Sequence, residues 1–90
     1  MAAAAEKPVT IVSTSVSGRH VLVHIQLDGK ADEMTCTRGV KGCVVPDPGA
    51  YLMIELSPEE SLYTDCDNVR IYSQETQAGQ RNEIGDFCVL

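Results

Sequence analysis

From Val9 onward the chain is a series of short apolar–polar alternations separated by turn residues. Residues 9–16 are β-branched and rich in Ser and Thr, as suits a strand on a half-buried sheet, and Ser17-Gly18 then marks a turn. Over residues 19–27 the alternation is strict. Val21, Val23, Ile25 and Leu27 share one face, and His20, Leu22, His24 and Gln26 share the other. Asp28-Gly29 follows at once, and a two-residue type I′ turn wants this dipeptide because both central residues take positive φ. Taking those two residues as the turn fixes the pairing: Leu27 with Lys30, Ile25 with Asp32, Val23 with Met34, Val21 with Cys36, and His24 beside Glu33 on the outer face.

Beyond this hairpin, residues 37–48 read as a loop holding Gly39, Gly42, Pro46 and Pro48. Residues 51–56 read as a strand with Leu52, Ile54 and Leu56 on one face. Ser57-Pro58-Glu59-Glu60 has the form of a helix start, with a Ser cap, Pro at the first position and Glu reaching back, but only a turn or two fits before Asp65. Residues 68–73 read as a strand with Val69 and Ile71 inward and Arg70 and Tyr72 outward. The stretch 74–83 is polar and linker-like, and 84–90 is apolar again with Cys88 in it, which favours a docked segment. The expected domain is therefore all-β, or mainly β with one short helical turn. It is a small five- to six-stranded sandwich or barrel over 9–73, with a flexible start at 1–8 and a linker plus apolar tail at 74–90.

Size changes the picture by demanding a stabilising device. Ninety residues make a thin core. Four cysteines, Cys36, Cys43, Cys66 and Cys88, are the obvious one, and disulfides imply an oxidising, secreted or periplasmic compartment. Four cysteines admit three pairings. Closure of the short Gly-containing loop by Cys36–Cys43, with Cys66–Cys88 tying down the tail, is the expected one. The first eight residues, MAAAAEKP, are too short for a signal peptide but carry the small residues that signal cleavage leaves behind.

Charge narrows the partners. The net charge is -6, and it is uneven: residues 1–46 hold five cations and four anions, residues 47–90 two cations and nine anions. Such a chain is a poor general nucleic-acid binder, since backbone affinity rests on clustered cations. No apolar run reaches the ~18 residues of a membrane-spanning helix.

Candidate chemistry is sparse. His20 and His24 on one strand stand ~13 Å apart and cannot share an ion. The cysteine spacing departs from the close pairs of zinc sites and from C-x-x-C redox motifs. Asp65-Cys66-Asp67-Asn68 continues into Val69 and Arg70, where a calcium loop needs an oxygen ligand and Gly. No G-x-S-x-G, P-loop or dinucleotide fingerprint occurs. The expectation is a domain without catalysis, metal or cofactor. Tyr51, Tyr63, Arg70 and Tyr72 are the contact candidates, because Tyr and Arg are enriched at binding hot spots.

The order Ser17-Gly18-Arg19-His20-Val21, Asp28-Gly29-Lys30, Cys36, Cys43, Pro48-Gly49-Ala50-Tyr51-Leu52-Met53 and Tyr63-Thr64-Asp65-Cys66-Asp67-Asn68-Val69 resembles small exported bacterial β-domain proteins without an assigned activity. The resemblance covers residues 9–73 and rests on turn and cysteine features. It implies export and a disulfide-stabilised β fold, and it brings no catalytic residue with it. The function expected is a secreted or periplasmic binding or accessory module whose partner is a protein or a small ligand. The alternatives are an inhibitor or toxin-like effector presenting the 43–48 loop, and a weak metal-binding protein.

Overall fold

The computed structural model describes residues 6–73 and 82–90. The reading of 1–5 as flexible and of 74–81 as linker lies outside the described residues. Six strands are present: β1 (Lys7–Ser17), β2 (His20–Leu27), β3 (Lys30–Thr37), β4 (Gly49–Glu55), β5 (Asp67–Ser73) and β6 (Glu83–Val89). Every pairing is antiparallel, and the order β1-β2-β3-β6-β5-β4 closes into a barrel.

The β2–β3 hairpin has the register that the Asp-Gly turn dictates, from Leu27↔Lys30 to His20↔Thr37. Asp28 and Gly29 have φ of 55° and 77°, the conformation a type I′ turn requires and Gly adopts without strain. Val21, Val23 and Ile25 are fully buried, and they meet Met34, Cys36, Ile71 and Phe87 in the barrel interior. Both disulfides are Cys36–Cys43 and Cys66–Cys88.

Three readings of the sequence need correction. The first concerns β4. Its core residue is Met53, while Leu52 and Ile54 are half-buried on the outer surface and Leu56, just past the strand, is buried. Tyr-Leu-Met-Ile is apolar in both phases, so alternation cannot choose the inner face. The ladders choose it, by setting Met53 opposite Ile71 on β5 and Tyr51 opposite Val9 on β1.

The second concerns the helix start, which yields no helix. The Ser57 hydroxyl does reach Glu60 Oε1 at 3.4 Å. The backbone makes only tight turns, with Glu60 N donating to Ser57 O and Ser61 N to Pro58 O. The next amides, Leu62 N and Tyr63 N, donate to Asn68 Oδ1 rather than continuing a helix. A helical nucleus fixes several residues for one hydrogen bond, so two captured amides end it.

The third concerns the extent of the body. Lys7 and Pro8 belong to β1, and the apolar tail is docked, as Cys88 favours, but as a full barrel strand, β6, between β3 and β5. The barrel thus extends on both sides of the 9–73 segment.

The β3–β6 seam is short, with Met34↔Val89 and Thr35↔Cys88 as its ladder pairs. Side chains and loop close the rest. Thr37 N donates to the Tyr63 hydroxyl at 3.2 Å, and Asp86 N donates to Gly42 O at 2.9 Å. The 38–48 loop is drawn so close here that a Cβ on Gly85 would stand 2.6 Å from Gly42 O and 2.9 Å from Val44 Cγ2. Only a residue without a side chain fits there.

Candidate functional site

The two ends of the barrel differ. At one end β3 runs into the 38–48 loop, which the Cys36–Cys43 disulfide folds back over the core. Cys36 is buried, and Val44 O lies 3.7 Å from its Sγ. That end is plugged.

The other end is where β1, β3 and β5 begin and β2, β4 and β6 end. There the wall opens into a cavity of about 350 Å³. Its apolar lining is Leu27, Met53, Val69 and Val89, and its charged lining is Lys7, Glu55 and Asp67. The geometry follows from the ladders. Lys7 is opposite Met53, Glu55 is opposite Val69, and Asp67 is opposite Val89, so each charged side chain stands beside an apolar one on the inward phase. Met53 and Val69 are buried at the base, and the three charged residues are exposed at the lip. An apolar floor under convergent charged groups at a barrel mouth is a typical setting for small-ligand binding. Two carboxylates against one ammonium leave the lip net negative.

The residues singled out from sequence do not gather at this mouth. Tyr51 is half-buried, packs against the core, and its hydroxyl donates to Asp47 O at 2.6 Å. Burial first, and the Asp47 carboxylate second, raise its pKa above the ordinary tyrosine value. Tyr63 also packs against the core and seals the β3–β6 seam. Arg70 and Tyr72 do share the outer face of β5. Arg70 is already surrounded by acids, however. Its Nε and Nη2 donate to the two Asp86 oxygens at 2.7 and 3.1 Å, and Glu60 and Glu83 lie at 3.5 and 3.4 Å. The Asp86 hydrogen bond is the main cause that raises the guanidinium pKa still further. Asp86 is 8% exposed, so this bidentate pair chiefly fastens β5 to β6.

His24 Nδ1 lies 3.3 Å from Glu33 on the outer face, as the hairpin register requires. Among the described residues no three His, Cys, Asp or Glu side chains gather where they could hold one ion. No helix among them is long and apolar enough to cross a membrane.

Sequence reasoning missed Lys7, Glu55 and Asp67 because each sits at a strand end, where a charged residue is read as solvated. A signal was present in Glu55 and Asp67, which continue the inward phase of Met53 and of Val69–Ile71. It becomes readable only once the phase of β4 is known.

This chain is thus, by fold and site, a small disulfide-bonded β-barrel plugged at one end and open at the other. No family model matches it, and no curated protein or solved structure matches it either.

Proposed function

We propose that this domain is a secreted or periplasmic binding module without catalysis, and that the open mouth takes a small ligand with an apolar body and a cationic head. The mouth is the observation that carries the reading. Leu27, Met53, Val69 and Val89 offer an apolar seat, and Glu55 and Asp67 outnumber Lys7 at the lip. A cavity of this size lies at the small end of the ~300–1,000 Å³ typical of ligand pockets. The two disulfides suit an oxidising compartment, where they persist.

The test is a titration followed by NMR, with hexylammonium and hexanoate as paired probes. Saturable shifts of the Met53 methyl and the Val69 and Val89 methyls with hexylammonium are expected, weakened in a Glu55→Gln/Asp67→Asn variant. Silence of these methyls to both probes at millimolar concentration would refute the reading. Equal response to both would refute the cationic preference.

A second reading has one observation in its favour. Val44 and Val45 on the disulfide-held loop are 37% and 49% exposed, as a presented inhibitory segment would be. Rapid cleavage of that loop by proteases of broad specificity would remove it.

A further inference from the structure

The barrel is closed along residues 7–11 of β1, where β4 pairs with it, but β1 continues past that point. Between Ile11 and Ser13 a bulge shifts the register, and residues 13–17 then pair with β2 alone. Among the described residues, nothing hydrogen-bonds to the other edge of 13–17. An unpaired strand edge presents a row of N–H and C=O groups that template a further strand, and proteins usually guard such edges with charge or Pro. This one reads VSTSVS over 12–17, with neither. Val12 and Val16 are 52% and 43% exposed.

We propose that residues 13–17 of β1 pair antiparallel with the same residues of a second copy, giving a two-fold dimer centred on Ser15. Two observations favour a second copy as the occupant. Pairing about Ser15 sets Ser13 opposite Ser17, Thr14 opposite Val16 and Ser15 opposite itself, so the edge is self-complementary without a like-charge contact. The chain as a whole is strongly acidic, yet residues 12–27 contain no Asp or Glu and a single Arg, Arg19. The arm is therefore a surface on which two copies of this acidic protein can meet without bringing carboxylates together. Arg19 sits in the β1–β2 turn, so its two copies lie at opposite ends of the paired segment, roughly 20 Å apart.

Sedimentation equilibrium of the oxidised protein from micromolar to millimolar concentration tests this directly. Wild type should show a monomer–dimer equilibrium. Ser15→Lys should raise the dissociation constant by roughly fivefold or more, since it sets two ammonium groups directly opposite each other. Ser15→Glu should do the same, and an equimolar mixture of the two variants should recover a dimer at least as tight as wild type. Ser15 is exposed, so both variants should keep the wild-type melting temperature when dilute, which separates loss of pairing from loss of fold. A wild type that stays monomeric throughout, or a dimer that neither variant weakens, would overturn the proposal. So would a mixture no tighter than its components.

Discussion

Replacing Asn68 by alanine should destabilise this domain, because this buried β5 side chain holds the loop that precedes it. Asn68 is 6% exposed at the start of β5. Its Oδ1 accepts from Leu62 N at 3.1 Å and Tyr63 N at 2.9 Å, and its Nδ2 donates to Tyr63 O at 2.8 Å. One side chain thereby replaces the ladder that residues 57–66 lack. Three well-formed bonds at about 1 kcal/mol each set a ceiling near 3 kcal/mol, and water reaching the half-exposed loop returns part of it, so the expected loss is about 2–3 kcal/mol. For a domain of this size that corresponds to a fall in Tm of about 8–24 °C. The cost also propagates, because Tyr63 must stay in place for its hydroxyl to meet Thr37 N at the β3–β6 seam. Thermal and urea unfolding of the oxidised protein measure the loss, and amide exchange at Thr37 reports the seam. A loss below about 1 kcal/mol, or unchanged protection at Thr37, would refute the idea that Asn68 organises this loop.

Four further outcomes are expected. Removing Cys66–Cys88 by paired alanines should cost about 3 kcal/mol and removing Cys36–Cys43 about 2, because the closed loops are 22 and 7 residues and the chain-entropy term grows with length; unfolding in urea that gives the reverse order would contradict this. Gly85→Ala should lose about 1–3 kcal/mol through its collision with Gly42 O and Val44, although the backbone there would accept any residue; a wild-type melting curve would show that the loop yields instead. The raised Tyr51 pKa means that the folded state keeps a proton the unfolded chain gives up. That contribution is intact below pH ~10 and lost as pH climbs through the higher folded value, so wild type should lose stability above pH ~10 more steeply than Tyr51→Phe, as pH-dependent urea melts would show. Finally, Ser73 Oγ is buried without a partner among the described residues, so Ser73→Ala should be neutral or slightly stabilising in the same melts.

What could be read from the chain depended on how local the deciding interaction is. The β2–β3 hairpin is legible because Asp28-Gly29 fixes both turn and register within a few residues, and His24 beside Glu33 then follows by counting. Strand β5 is legible because Val69 and Ile71 alternate with Arg70 and Tyr72, so one phase alone is apolar. Strand β4 is not, since both phases are apolar and its orientation comes from partners far away in sequence. Tyr63 illustrates the same limit at the level of function. Its composition marks it as a contact residue, yet its hydroxyl is engaged by an amide 26 positions earlier.

The sequence by itself determined the all-β class, the central hairpin, and a cysteine arrangement whose favoured pairing is the one present. Each depends on backbone preferences and loop closures that act along the chain. The tertiary structure alone decided that β6 closes a barrel, that one end is plugged by the 38–48 loop, and that Lys7, Glu55 and Asp67 line the rim of a cavity with Met53 at the other. It also decided that β1 outruns its partner β4. These are properties of how strands of unequal length are staggered around a closed sheet. Stagger is set by long-range pairing, which alternation within any one strand does not encode.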